Sequence, residues 1–221
     1  SPNPWLMETF SSSGTKYFGL SQKVDCVALS FVRQSKDIRQ LRDLIDAKNP
    51  STRICAKIEM VEAVENLEEI VLLSDAVMVA RGDLAVEVGV AAVPALQKRM
   101  ISMARASNKV AITATQMMES MIVNAVPTRA EVSDVANAVL DGTDAVMTSA
   151  ETASGKYPVE TVEAMAAICL EAEKFQESRL DADFMNQTFT RIDQSIAYGA
   201  LFTAHHLRVK AIVALTESGS T

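Results

Sequence analysis

Short apolar runs separated by segments of helical periodicity dominate the chain. Each run is too short for a buried helix and carries β-branched residues, so the runs predict strands that are buried on both faces. The runs are Cys26–Phe31, Ile54–Glu59, Ala76–Ala80, Val110–Ala114 and Ala145–Ser149.

The segments between the runs place apolar residues at helical spacing. Ile38, Leu41 and Ile45 form one such stripe, and Ser35 provides a polar residue for its N-terminal cap. Alternating strands and helices predict parallel βα units with right-handed crossovers. The spacing suits a (β/α)₈ barrel, although a doubly wound sheet has the same local pattern. Val61, Val64 and Leu67 together begin another predicted helix. The remaining predicted helices cover Val93–Ala106, Thr128–Leu140 and Pro158–Lys174.

The alternation of strand and helix stops near Phe175, which suggests a division of the chain. A helical pattern over Ser195–Leu207 and an apolar run over Lys210–Leu215 indicate the start of a second α/β domain. The expected parts are an irregular segment over 1–17, a partial (β/α)₈ barrel with five of eight strands over 18–175, a linker over 176–194 and the second domain over 195–221.

Composition narrows the classes of function. A net charge of −7 argues against a nucleic-acid binder, and two histidines leave little room for histidine-based chemistry. No window approaches a membrane span and no secretory signal is visible, so we expect a cytoplasmic protein. Cys26, Cys55 and Cys169 form no CxxC pair and are expected to be reduced thiols.

Polar residues follow the ends of four predicted strands. In a parallel barrel, the carboxyl ends of the strands form the mouth of the active site. Four such endings on successive strands therefore predict a ring of charged and hydroxyl groups at one end. The residues are Lys57 and Glu59, Arg81 and Asp83, Thr115 and Gln116, and Ser149 and Glu151.

Lys57 and Glu59 leave one face of their strand because they are two residues apart. One interpretation is a buried ion pair. The other makes Glu59 and Asp83 hard oxygen ligands for Mg²⁺ or Mn²⁺, with Lys57 facing a substrate. Gly82 is either a simple turn residue or a place where a ligand reaches the backbone N–H. A metal, a lysine and free amides together suit phosphoryl transfer.

Several longer motifs resemble those of the pyruvate kinase family, and they stand in the same order and spacing. The resemblance runs from about Phe18 to the C-terminus. It implies the glycolytic transfer of phosphate from phosphoenolpyruvate to ADP, giving pyruvate and ATP, on a (β/α)₈ barrel in a tetramer. The motifs are KIE, VMVARGDLAVE, ATQMMESM, PTRAEVSDVANAVLDGTDAVM and SAETASGKYP.

The resemblance also implies roles for single residues. Lys57 would stabilise the phosphoryl group in transfer, and Glu59 and Asp83 would hold Mg²⁺. Thr115 would lie over the methylene carbon of the enolate, near the path of proton transfer. The pyruvate carboxylate would bind the backbone around Ala80, Gly82 and Asp83.

Other implied roles lie further along the chain. Ser149 and Glu151 would belong to a proton relay, whereas Arg81 would be structural. The C-terminal TESGST resembles a phosphate-binding turn for an effector, with Thr216, Ser218 and Gly219 in place. The family also uses K⁺, whose ligands are not recognisable in this chain.

Three residues depart from the family pattern. Ala85 stands where glycine is usual, and Thr148 stands where a hydrophobic residue is usual. Ser220 stands where arginine is common, which argues against effector binding. None of these positions is an expected metal ligand.

Two other functions remain open from the sequence. A metal-dependent pyruvate-type aldolase or lyase would also place glutamate and aspartate at strand ends, and a folding or assembly fragment would have no turnover. Because five strands leave a barrel open and the nucleotide contacts are expected on other strands, we expect the 221 residues alone to be inactive.

Overall fold

The computed structural model of the chain describes residues 7–10, 24–177 and 192–214. Its strands form one sheet in which each strand pairs in parallel with the next strand along the chain. A doubly wound sheet reverses its strand order, so this sequential order identifies the barrel arrangement. The strands are β1 Met7–Phe10, β2 Cys26–Leu29, β3 Arg53–Ile58, β4 Ala76–Ala80, β5 Val110–Ala114 and β6 Ala145–Met147.

Helices connect successive strands from β2 onward. Short 3₁₀ helices lie at Val90–Ala92 and Glu119–Ile122. In the part of the chain that the structure describes, no helix has the length and apolar character needed to cross a bilayer. The α-helices are α1 Ser35–Asp46, α2 Val61–Glu65, α3 Leu67–Leu73, α4 Arg81–Val88, α5 Val93–Ala106, α6 Arg129–Asp141, α7 Ala150–Ala153, α8 Pro158–Glu177 and α9 Ile192–Leu207.

The two faces of the sheet are both buried, as the apolar runs predict. Alternate residues of a strand point to opposite faces. Branched residues such as Val27 and Val77 belong to a large cluster with residues of α1, α3 and α5. Smaller or flexible residues fill the other face, which is the inner face of the barrel. They are Cys26, Ala28, Cys55, Ala76, Met78 and Ala114.

The three cysteines are free thiols, as expected from the sequence. Burial raises the pKa of Cys26 to about 11, with a further contribution from the nearby charge of Asp75. Burial also raises the pKa of Cys55, which lies on the inner face. Both thiols therefore stay protonated at neutral pH and serve as small apolar side chains.

Aspartates that precede two strands join the amino ends of the sheet. Asp75 Oδ2 accepts a hydrogen bond from Ile54 N at 2.8 Å and lies 2.5 Å from Arg42 Nη2. Asp144 Oδ2 accepts one from Ala111 N at 2.8 Å. These contacts lie at the opposite end of the strands from the predicted active site, so they belong to the stability of the barrel.

A capping box begins α6. Thr128 is the N-cap residue, and its hydroxyl accepts a hydrogen bond from Glu131 N at 3.2 Å. The Glu131 carboxylate accepts from Thr128 N at 2.8 Å and from Ser120 N at 2.7 Å. Partial burial raises the pKa of Glu131, but hydrogen bonds from the Ser120 side chain and backbone and from Thr128 outweigh it and hold the pKa below 4.5.

Replacing Glu131 by glutamine should destabilise the protein by about 1 kcal/mol near pH 7, because glutamine can keep the hydrogen bonds of the capping box but not the extra strength that the negative charge gives them. Because folding lowers the pKa of Glu131, its contribution is full above the ordinary pKa of 4.5 and is lost as the pH falls through the folded value. Urea unfolding of both proteins at pH 7 and in acid measures the difference. Glu160→Gln, at an exposed position in the first turn of α8, is the control. A difference that is independent of pH would contradict the prediction.

Three local predictions are wrong. Met7–Phe10 lies in the segment predicted to be irregular but forms β1, because its backbone pairs with β2, and four residues alone show no periodicity. Ser35 is the first residue of α1 rather than its cap, because Gln34 occupies the N-cap position. Residues 210–214 of the predicted strand Lys210–Leu215 are exposed and form no strand, since they have no strand partner among the described residues.

The chain divides into two compact units, Ser1–Glu173 and Lys174–Thr221. The first contains the sheet and most of the helices, and the second contains α9. The central part of the predicted linker 176–194 and the end of the predicted domain 195–221 lie outside the described residues. The domain limits therefore stay predictions.

Candidate active site

The predicted site residues meet at the carboxyl ends of β3, β4 and β5. Lys57 pairs in register with Met78, and Ala80 pairs with Ala114. Cys55, Met78 and Ala114 line the inner face of the barrel, so the alternation along β3 carries Lys57 and Glu59 to the same face. The site therefore lies at the mouth of the barrel.

Lys57 and Glu59 form an ion pair, which was one of the two interpretations of their spacing. Lys57 Nζ lies 2.5 Å from Glu59 Oε1, and it donates a hydrogen bond to Ser30 Oγ at 3.1 Å. The Lys57 side chain is 16% exposed and that of Glu59 is 1% exposed. A cation therefore reaches the mouth while its carboxylate partner is fully buried beneath it.

Glu59 also holds the turn that follows β2. Its Oε2 accepts a hydrogen bond from Phe31 N at 2.7 Å. Phe31 has a φ of 55°, in the left-handed region that non-glycine residues rarely adopt, and this contact stabilises it. Ser30 and Phe31 were not predicted to belong to the site. The predicted strand included both residues, whereas the observed strand ends at Leu29.

Gly82 and Thr115 meet where β4 and β5 end. Gly82 N donates a hydrogen bond to Thr115 Oγ1 at 2.7 Å, and that hydroxyl donates to Ala114 O at 2.7 Å. A Cβ at Gly82 would lie 3.4 Å from Thr115 Oγ1, which is an ordinary contact. Packing within the chain therefore does not require glycine at position 82. Because glycine has no side chain, space remains beside the Thr115 hydroxyl.

Asp83 lies in the first turn of α4 and is exposed. Among the described residues it has no hydrogen-bond or ion-pair partner, so its carboxylate is free to bind a cation. No group of three His, Cys, Asp or Glu side chains in the described ranges could hold a metal. The Asp83 carboxylate is an oxygen donor of the kind that Mg²⁺ prefers, whereas both oxygens of Glu59 already have partners in Lys57 Nζ and Phe31 N. The shared metal site of Glu59 and Asp83 therefore stays a prediction.

Arg81 is buried at the end of β4, with 7% of its surface exposed. Its Nε and Nη2 donate hydrogen bonds to Thr115 O at 3.2 and 2.9 Å, and Nη2 also donates to Gln116 O at 3.1 Å. Its Nη1 lies 2.8 Å from Asp134 Oδ1 on α6. The contact with Asp134 joins residues 53 apart in sequence, and no local pattern could have identified it.

Ser149 and Glu151 follow β6, at the same end of the sheet. Glu151 is buried, and its carboxylate accepts hydrogen bonds from Ser149 N at 2.7 Å and Met118 N at 3.3 Å. These contacts join the loops after β5 and β6. The proton relay stays a prediction, and Thr216, Ser218 and Gly219 lie outside the described residues.

Comparisons with known proteins agree with one another. The family model described as "Pyruvate kinase, barrel domain" matches residues 11–162. A pyruvate kinase of Buchnera aphidicola is 53% identical over 90% of this chain and 42% of its own length. Those of Haemophilus influenzae and Dictyostelium discoideum are 50% and 47% identical, over 42% and 41% of their lengths. The chain thus spans about two fifths of these curated relatives. The matches do not favour the aldolase alternative.

Proposed function

The chain belongs to the pyruvate kinase family, and we propose that it carries the phosphoryl-transfer centre of a protein that converts phosphoenolpyruvate and ADP into pyruvate and ATP. The observation that carries the proposal is the buried Lys57–Glu59 pair at the barrel mouth. It holds an ammonium group at a place where a substrate phosphate can reach it. Phosphoryl transfer depends mainly on such positioned charge.

In the proposed reaction, the bond from phosphorus to the enolate oxygen breaks and a bond from phosphorus to an ADP oxygen forms. The transferring group carries its negative charge on its outer oxygens. Lys57 Nζ compensates part of that charge, and its contacts with Glu59 and Ser30 fix its position. The lysine therefore acts through electrostatics and forms no covalent bond.

Substrate binding falls to the first turn of α4 in this proposal. The amino end of a helix presents free N–H groups and a partial positive charge. The backbone from Ala80 to Asp83 occupies that position. Because Gly82 N already donates to Thr115 Oγ1, a carboxylate such as that of pyruvate would bind the other N–H groups of this turn. The space beside Gly82 lets the ligand approach the Thr115 hydroxyl. Thr115 then lies near the carbon that is protonated when the enolate becomes pyruvate.

The proposed cofactor is Mg²⁺ or Mn²⁺, held by Glu59 and Asp83. The cation supplies a positive charge that lowers the energy of anionic oxygens in the transition state. K⁺, which the family resemblance implies, would depend on ligands other than the residues discussed here. The same resemblance suggests a homo-oligomer.

The test is pyruvate formation from phosphoenolpyruvate and ADP by the complete protein that carries this sequence. With Mg²⁺ and K⁺ present, turnover should be on the order of 1–10³ per second, and EDTA should abolish it. The control reaction is cleavage of a 4-hydroxy-2-oxo acid, which an aldolase would catalyse. Aldol cleavage without phosphoryl transfer would overturn the proposal.

A further inference from the structure

Two consecutive residues after β5 have left-handed backbone conformations. Thr115 has a φ of 68° and Gln116 a φ of 52°, and neither is glycine. They form the one adjacent pair among the non-glycine residues with positive φ in the described part of the chain. Such a turn is unfavourable unless its surroundings hold it, and here it sets the direction of the Thr115 side chain.

Arg81 provides the group that holds this turn. Its guanidinium donates to Thr115 O through Nε and Nη2 and to Gln116 O through Nη2, so it binds the carbonyls of both left-handed residues. A guanidinium is planar and has several donors in a fixed arrangement. A lysine at this position could not bind both carbonyls from the same directions.

The guanidinium is itself held in place. Its Nη1 binds Asp134 on α6 and lies 3.4 Å from Gln97 Oε1 on α5. The next residue along the chain, Gly82, donates its N–H to the Thr115 hydroxyl. One short segment therefore fixes Thr115 twice, through its carbonyl and through its hydroxyl.

We propose that Arg81 is a positioning residue that sets the Thr115 hydroxyl for enolate protonation by holding the left-handed turn at Thr115 and Gln116. The proposal rests on the proposed function, because it assigns Thr115 to that step. Arg81 is nearly fully buried beneath the turn and acts through Thr115 rather than on the substrate. Losing it should impair the chemical step more than substrate binding.

A double-mutant cycle tests this proposal. In the complete protein, Arg81→Lys should lower kcat by about 10- to 100-fold while changing KM for phosphoenolpyruvate much less, since small misplacements of a reacting group have effects of that size. In a Thr115→Ala background, the same change should lower kcat by less than about twofold, because its route to the reaction is gone. Exchange of the pyruvate methyl protons into D₂O, followed by NMR, should fall in parallel with kcat.

Arg42→Lys is the matched control. Arg42 is also an arginine that binds a carboxylate and a backbone carbonyl, but its partners Asp75 and Thr52 lie at the opposite ends of the strands. It should leave kcat unchanged. If Arg81→Lys does not fold, Arg81→Gln, which keeps one donor for Thr115 O, replaces it in the cycle.

The outcomes separate the two proposals. Equal losses of kcat on Arg81 replacement with and without the Thr115 hydroxyl would overturn the positioning role while leaving the proposed function intact. A loss matched by Arg42→Lys would do the same. An unmodified protein without phosphotransferase activity would overturn the proposed function itself.

Discussion

In the complete protein that carries this sequence, replacing Lys57 by methionine should lower kcat for pyruvate formation by about 10² to 10⁵, the range for groups that stabilise a transferring phosphoryl group. Methionine has a similar length but carries no charge. The loss follows because Lys57 is the cation that Glu59 and Ser30 hold at the barrel mouth. Steady-state kinetics at saturating phosphoenolpyruvate and ADP measure it, and binding of Mn²⁺ should persist.

Stability must be measured in the same variant. Glu59 is 1% exposed, and breaking a buried ion pair by removing one partner costs about 3–5 kcal/mol. Thermal unfolding with and without Mn²⁺ separates this loss from the loss of catalysis. Lys98→Met is the control, because Lys98 also pairs with a carboxylate, Asp141, but lies exposed on α5. Near-normal turnover in Lys57→Met would remove Lys57 from the mechanism.

Replacing Glu59 by glutamine should weaken Mn²⁺ binding by at least about 10- to 100-fold, since changes even outside the ligand shell of metal sites reach that size. Glutamine keeps an oxygen that can accept from Phe31 N, but it removes the negative charge. The electron paramagnetic resonance signal of free Mn²⁺ measures the affinity. At Mg²⁺ concentrations that already saturate the unmodified protein, the activity of the variant should still increase as more Mg²⁺ is added.

Glu151→Gln supplies a matched control for Mn²⁺ binding. Glu151 is as buried as Glu59 and likewise accepts hydrogen bonds from backbone N–H groups. It follows β6 rather than β3. Its replacement should leave the Mn²⁺ affinity unchanged. If Glu59→Gln binds Mn²⁺ as tightly as the unmodified protein, Glu59 is not a metal ligand.

The strands were predictable because burial on both faces leaves continuous apolar runs. Ala76–Ala80 and Val110–Ala114 have the predicted limits. By contrast, Met7–Phe10 is a strand because of its pairing with β2, which its own four residues do not specify. The helix Arg81–Val88 was not predicted, although Gly89 after it is a common helix-ending residue.

The candidate site was predictable to a similar extent. Lys57 and Glu59 are two residues apart on one strand, so their contact follows from strand geometry alone. The contacts of Arg81 with Thr115 and Asp134 depend on how β4, β5 and α6 pack together, 34 and 53 residues apart. Local patterns contain no information on such distances. The left-handed turn at Thr115 could not be predicted either, because threonine does not favour that backbone conformation.

The sequential order of the strands also affects how the chain reaches its native state. Met7 pairs with Cys26 and Ala76 pairs with Val110, separations of only 19 and 34 residues. Each strand can therefore find its partner as soon as the next βα unit leaves the ribosome. The entropy cost of closing each of these connections is similar, because it grows only slowly with loop length. Each described strand can consequently use the strand before it in sequence as the template for its pairing.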